Sequence, residues 1–335
     1  MKTIVIFCAS LKLPGETFEK ASYWEAYSDL LLLLQERGMR AYFASNMATY
    51  LGNGRFSEAY TLGSRVQPEQ MRCERFVRAD LVYDRGGFDA DDIPVMNPAE
   101  MTLLGGDKRL MYQIFGKFQP FSVVCNNRGQ LERALNRIKT DRVVVKDPEG
   151  CGGDGVYIGS RAKVLQQVQG VAYPLLAQEF MDTSGGIPGV VDGIHDLRLE
   201  MCGGRIIACY VRSPRAGEYR ANVALGGTAR YLEPHEIPPH AVYLSKRIDA
   251  YFRGLPRHYA IDLARSSRGW KLIELNGRPG LVPLSHSPAT ARAMTMLANY
   301  LVKMTRGKRH WLHLPTLNLS TAATPQATES TPTQI

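Results

Sequence analysis

The chain has 335 residues, 44% of them apolar, 22% charged and 9% aromatic, which is more than one hydrophobic core usually supports and excludes both a single small domain and wholesale disorder. Lys and Arg number 41 against 32 Asp and Glu, a net charge of +9. Such an excess asks for an anionic partner: a nucleic acid, a membrane surface or an anionic small molecule.

Thr3 to Phe7 is a short β-branched run, and Tyr23 to Arg37 is leucine-rich and closed by Gly38. The pair predicts a strand followed by a helix with a glycine stop. Arg40 to Ala44 and Asp80 to Asp84 predict further strands, the second running into Arg85-Gly86-Gly87. Together they predict an open α/β domain to about residue 100. Ligands of such sheets gather beyond the carboxyl ends of the strands, so Arg85 and its glycines either line a substrate cleft or make a plain turn. The apolar run before Cys8 is too short for a signal peptide, and Leu30 to Leu34 is far short of a membrane span. Cys8, Cys73, Cys125, Cys151, Cys202 and Cys209 show no paired zinc-type spacing. A cytoplasmic protein is expected.

Asp107 to Phe118 and Gln130 to Ile138 read as helices, and Arg142 to Lys146 as a strand of three valines ending in lysine. Gly150-Cys151-Gly152-Gly153-Asp154-Gly155 follows, then Val156 to Ile158, a second β-like run. The order strand, glycine loop, strand differs from the P-loop and the dinucleotide fingerprint, which put their glycines before a helix. A glycine hairpin can nevertheless close over phosphates, because its backbone approaches closely and its N–H groups form an anion nest; the other reading is a turn.

Ala260 to Gly280 reads as a β-hairpin carrying Asp262, Glu274 and Asn276. Glu274 and Asn276 are two apart and share a strand face, and antiparallel pairing brings Asp262 beside them. Two carboxylates and a carboxamide suit Mg²⁺, which takes hard oxygen ligands together with nucleotide phosphates. The alternative is a solvated strand face. Between the glycine loop and this hairpin lie Gln178-Glu179-Phe180-Met181, His195-Asp196-Leu197-Arg198, Arg212, and Asn222 with Gly226-Gly227. Strand arginines are ordinarily ion-pair or surface residues, and bidentate phosphate recognition is their specialised use. Thr316 to Ile335 lacks Lys and Arg and is rich in Thr, Ser, Ala, Pro and Gln, which predicts a disordered tail.

In this order, from about Asp107 to Pro279, the segments resemble the ATP-grasp superfamily, in its branch of glutathione synthetase-like and ribosomal-protein S6 glutamate ligase-like carboxylate–amine ligases. The resemblance implies an α+β fold in which an N-terminal open α/β domain precedes a two-lobed ATP-grasp domain holding the nucleotide between its lobes. The expected bounds are 1–105 for the first domain, 106–180 and 181–312 for the two lobes, and 313–335 for the tail. It further implies that Lys108 and Lys146 contact the ATP phosphates under a flap bearing Gly152, Gly153 and Gly155. Gln178, Glu179, Phe180 and Met181 would form the segment that reads adenine, with Glu179 or a nearby acid on the ribose. Asp262, Glu274 and Asn276 would hold two Mg²⁺ ions, for which Mn²⁺ can stand in. Arg212 would stand near the transferred phosphoryl and acyl groups, Arg198 is similar to the family's arginine after a strand aspartate, and Asn222 with Gly226-Gly227 resembles the loop before the metal-binding strands; with Lys146 these three are the expected catalytic residues.

The implied reaction activates a carboxylate as an acyl phosphate and couples it to an amine, with small-molecule or peptide substrates, a homo-oligomer as one form, and neither nucleic acid nor membrane as partner. Two other readings are weighed: a kinase on the same scaffold and an ATP-binding protein without turnover. The compact basic run of Lys303, Arg306, Lys308 and Arg309 is explained by its place at the end of the last helix. His195 has no counterpart in the resemblance, residues 235–256 carry no recognisable motif, and Asp147-Pro148 stands where many relatives have proline directly after the lysine.

Overall fold

A computed structural model of the chain describes residues 1–9, 21–64, 67, 70–150, 153–221, 223 and 226–306. Cys151, Gly152, Asn222, Lys308, Arg309 and the expected tail lie outside the described residues. Three sheets follow one another along the sequence.

The first comprises β1 (Thr3–Phe7), α1 (Ala21–Glu36), β2 (Arg40–Ala44), β3 (Arg55–Thr61), β4 (Arg72–Arg78), β5 (Leu81–Asp84) and β6 (Val95–Met96), with strand order β4-β3-β2-β1-β5-β6. At its centre β1 runs parallel to β2 on one side and β5 on the other, and all five of its residues are buried, as a strand covered on both faces requires. The glycine stop after α1 is a Schellman motif: Gly38 has φ +75°, its N–H donates to Gln35 O, and Met39 N–H donates to Leu34 O. The β3–β4 hairpin was not anticipated, because RCERFVR in β4 is exposed at six of seven positions and carries no alternation.

The second unit comprises α2 (Ala99–Gly106), α3 (Lys108–Phe115), β7 (Ser122–Cys125), α4 (Arg128–Arg137), β8 (Arg142–Lys146), β9 (Val156–Ser160), α5 (Arg161–Gln167) and β10 (Leu175–Glu179). Its sheet is antiparallel, in the order β7-β10-β8-β9. Side-chain alternation divides it cleanly. Val143, Val145, Leu175 and Ala177 enter an apolar core against α4, while Val144, Lys146, Val156 and Ile158 face the opposite way. The helix expected to Phe118 ends at Phe115 and tightens into a 3₁₀ turn over Gly116–Phe118. The next helix begins two residues earlier than expected, at Arg128, because Asn127 caps it by accepting from Gln130 N.

The third unit comprises β11 (Asp196–Cys202), β12 (Arg205–Ser213), β13 (Thr228–Tyr231), α6 (Pro239–Asp249), β14 (His258–Ser266), β15 (Gly269–Asn276) and α7 (Pro288–Arg306). Its five strands pair antiparallel in the order β13-β12-β11-β14-β15. One face is apolar, with Leu197, Leu199, Ile261, Leu263, Leu272 and Leu275 sealed beneath α6 and α3. α6 occupies half of the motif-free stretch 235–256. α7 packs on α1 and β12 and shares a core with β1 and β5, tying the third sheet to the first. A buried polar chain crosses the same junction. Tyr83 OH lies 2.6 Å from His258 Nδ1, and His258 Nε2 lies 2.7 Å from Glu200 Oε1. The carboxylate only accepts, so Nε2 carries the proton. Burial keeps the imidazole neutral against the pull of Glu200, and Nδ1 accepts from the tyrosine.

Among the described residues no helix is long and apolar enough to cross a membrane. Five cysteines, Cys8, Cys73, Cys125, Cys202 and Cys209, are free thiols.

Candidate functional site between the second and third sheets

The second and third sheets look at each other across a cavity. One wall is Val144, Lys146, Val156 and Ile158; the facing wall is Ala264, Ile273 and Glu274. Lys108 enters from α3, where the spacing Lys108, Met111, Phe115 puts the lysine on the buried face of the helix. Its ammonium donates to Gly150 O and lies 3.5 Å from Glu274 Oε1. Lys146 ends β8 on the face that alternation assigns to the cavity. Burial lowers it to a pKa of about 8; Glu274 opposes that shift and Lys108 adds to it. Two cations and one carboxylate thus stand together, a net positive spot at one end of an apolar cleft.

The apolar end is built by Phe180 and Met181, which follow β10. The Phe180 ring meets Tyr219 edge to face with centroids 5.4 Å apart, and Arg142 stacks over both rings. Gln178 and Glu179 do not line this cavity. Gln178 shares the sheet face of Lys146, but its amide donates to Ser122 Oγ at 2.8 Å, and the Glu179 carboxylate faces Arg268 at 3.5 Å. The glycine hairpin joins β8 to β9 and no helix follows the glycines directly. Gly150 and Gly153 line the cavity, and Arg220 Nη1 donates to Gly153 O across it. Gly155 stands at φ +66°, and a Cβ there would meet Asp147 Cβ at 2.8 Å, so only glycine fits.

The third sheet carries a polar row next to the cavity. Asp262 and Glu274 are direct cross-strand partners, and Asn276 pairs with Ala260, so Asp262, Glu274 and Asn276 occupy one face. Arg198 neighbours Asp262 and Asp196 neighbours Arg212 in the register of β11. Asp262 is 2% exposed. It accepts from Arg198 Nε and Nη2 at 2.6 and 2.5 Å and from Arg212 Nη2 at 2.8 Å. Burial alone would raise this carboxyl, but the two guanidiniums hold it below the usual carboxylate range. Asp196 goes the other way: burial pushes it up to about 6 against the bidentate pull of Arg212, and the charge of Asp262 adds to the rise. Sequence reasoning put the arginines on these strands without foreseeing that they would grip Asp262. The pairing joins strands 64 and 50 residues apart.

Asp196, from the His195-Asp196-Leu197-Arg198 segment, also lines the cavity, as do Thr183 and Ile194, which carried no signal in the sequence. His195 N donates to Thr183 Oγ1 and its Nδ1 is bonded to Gly193 O, leaving Nε2 buried without a partner. The carbonyl only accepts, so Nδ1 holds the proton.

Over 193 residues the chain is 29% identical to a protein of Xanthomonas oryzae pv. oryzae (strain MAFF 311018) named probable alpha-L-glutamate ligase, covering 55% of this chain and 61% of that relative. A protein of the same name from Parasynechococcus marenigrum (strain WH8102) is 28% identical over 203 residues, 58% of this chain and 40% of the relative. The chain thus spans about three fifths or less of these curated relatives. Among solved structures it resembles a Chryseobacterium gregarium RiPP-associated ATP-grasp ligase in complex with ADP and a leader and core peptide. That pair has a TM-score of 0.62 and 13% identity, covering 92% of this chain and 98% of that one. It also resembles D-alanyl-alanine synthetase A of Vibrio cholerae O1 at a TM-score of 0.59 and 15% identity, covering 91% and 97%. These structures share the α+β ATP-grasp architecture. The family model of the RimK-like ATP-grasp domain matches residues 111–300, more than half of the chain, and the chain belongs to that family.

Proposed function

We propose that the protein is an ATP-dependent carboxylate–amine ligase, and that its nucleotide occupies the cavity between the second and third sheets. The observation that carries this reading is the convergence of Lys108, Lys146 and Glu274 at one end of a cleft whose other end is apolar and aromatic. A triphosphate needs the first end and a purine the second. Phe180 and Met181 would bound the base, while the two ammonium groups and the Gly150–Gly155 hairpin would hold the phosphates.

The donor set fits Mg²⁺: Glu274 and Asn276 offer hard oxygens on one strand face, with Asp262 beside them. Such ions would neutralise charge on the transferring phosphoryl group. Arg198 and Arg212 would keep Asp262 ionised and aligned before it takes a metal.

In the proposed reaction one carboxylate oxygen attacks the γ-phosphorus and ADP leaves. The resulting acyl phosphate is attacked by an amine, which loses a proton as inorganic phosphate departs. The chain's own contribution is positioning and charge neutralisation by Lys108, Lys146 and Arg212, together with exclusion of water by the glycine hairpin. Relatives named glutamate ligases support an amino-acid substrate, and a structural neighbour solved with peptides supports a peptide as the other. ADP release across a panel of carboxylates with and without amines, followed by mass spectrometry, tests the reading. Amide product with stoichiometric ADP is expected; a stable phosphoester would replace the ligase with a kinase.

A further inference from the structure

The Arg85-Gly86-Gly87 turn has no part in the nucleotide cavity, yet it occupies the most distinctive position of the first sheet. β1 pairs with β2 on one side and β5 on the other, both parallel, so the crevice beyond the carboxyl ends of β1 and β5 is the topological switch point where open α/β sheets collect ligands. Arg85 is the first residue after β5. It is 9% exposed, its Nε donates to Tyr27 OH at 3.0 Å, its Nη2 donates to Pro279 O at 2.5 Å, and its guanidinium stacks 5.3 Å from the centre of the Tyr83 ring. Its Nη1 is buried with no partner.

A second guanidinium converges on the same place. Arg278 stands two residues beyond Asn276, whose Oδ1 accepts from Arg278 N at 2.9 Å. Its Nη2 is paired with Asp84 Oδ2 at 2.7 Å, and its Nε is also buried with no partner. Asp84 is the only carboxylate the described contacts give this pair, and its other oxygen accepts from Gly86 N and Phe88 N. Two cations face one anion, and each cation keeps a spare N–H out of water, an expensive arrangement unless a ligand completes it. The Asn276–Pro279 turn is itself fixed from the junction of the first two units: Asn97 Nδ2 donates to Gly277 O, and Gly105 of α2 packs so closely on Gly277 that a Cβ would lie 2.5 Å from its nitrogen.

We propose that Arg85 and Arg278 form the anchoring subsite for the carboxylate of the substrate that is activated. The site lies at the switch point of the first sheet, immediately beyond the Glu274–Asn276 end of β15. A carboxylate is the class that fits. It is planar, it matches the fork of a guanidinium, and the phosphates have their own cations in Lys108 and Lys146 across the cavity. This assignment rests on the ligase reading.

The test uses full-length protein labelled with ¹⁵N-arginine, observing Nε–H resonances while acetate, then glutarate, is added. Arg85→Lys and Arg278→Gln identify the two resonances by their disappearance. Both are expected to shift saturably with either carboxylate, and in Arg278→Gln the remaining Arg85 resonance responds with about tenfold weaker affinity, the loss of one charge-assisted contact. Resonances that stay still, or that chloride at equal ionic strength moves as much, overturn the subsite. An ADP titration of the same samples separates the two ideas. Wild-type protein that takes carboxylate but not ADP keeps the subsite and loses the ligase. ADP binding without a carboxylate response does the reverse. ADP affinity retained in Arg278→Gln shows that the variant is folded.

Discussion

Enclosed at the end of β8, Lys146 has a pKa of about 8 because burial disfavours its ammonium form, with Lys108 adding to that shift and Glu274 opposing it. A phosphate needs that ammonium charged. Below about pH 8 the cation is present and affinity is full; above it the proton is lost and affinity falls. The Kd for ADP, measured without divalent metal, is therefore expected to rise between about pH 7 and pH 9.5. Lys146→Arg, which stays charged, should flatten that rise, and a wild-type profile that is flat over this range would contradict the placement of Lys146 on the phosphates. Glu274 acts on the same volume from the other side. Glu274→Ala is expected to lower turnover by at least about 100-fold, while circular dichroism and metal-free ADP binding stay near wild type. Retained turnover would remove Glu274 from the metal set.

Glycine positions show how closely the elements are fitted. Gly105 and Gly106 are neighbours at the end of α2, where alanine would ordinarily add up to about 1 kcal/mol of helix stability. At Gly106 a Cβ meets nothing within 4 Å, so Gly106→Ala should be neutral or stabilising. At Gly105 it would lie 2.5 Å from Gly277 N, a backbone atom that cannot swing away. Gly105→Ala is therefore expected to cost about 1–3 kcal/mol in urea denaturation and to weaken Mn²⁺ binding by displacing the end of β15. Equal stabilities for the two variants would show that the turn yields easily. Strands at this scale were legible as apolar runs, but their sides were not always: the three consecutive valines of β8 mark a strand without marking its faces, and in β15 the spacing puts Glu274 and Asn276 on one face while Leu272, of the same parity, is turned to the core by the bulge between Asp262 and Leu263. β4 was illegible because it is an exposed edge strand whose polar residues repeat with no period.

Across the whole molecule, what the sequence withheld was long-range pairing. Asp262, Glu274 and Asn276 could be put on one face from their spacing, because a hairpin is local. That Arg198 and Arg212 would hold Asp262, or that Asn97 would donate to Gly277 O 180 residues away, depends on strand order and domain docking, which no local period encodes. The +9 charge is likewise sharpened. Lys108, Lys146, Arg85 and Arg278 are cations gathered at two adjacent places, one suited to phosphates and the other to a carboxylate, while Arg198 and Arg212 are paired with Asp262 and Asp196 beside the cavity. In the proposed reaction an acyl phosphate links the two places, and an isotope follows it directly. With a carboxylate substrate labelled with ¹⁸O in its carboxyl group, ATP and an amine, each phosphate released in forming the amide should carry one ¹⁸O from the carboxyl group. Amide formed with unlabelled phosphate would mean that the carboxylate does not attack the γ-phosphorus and would contradict the acyl phosphate route.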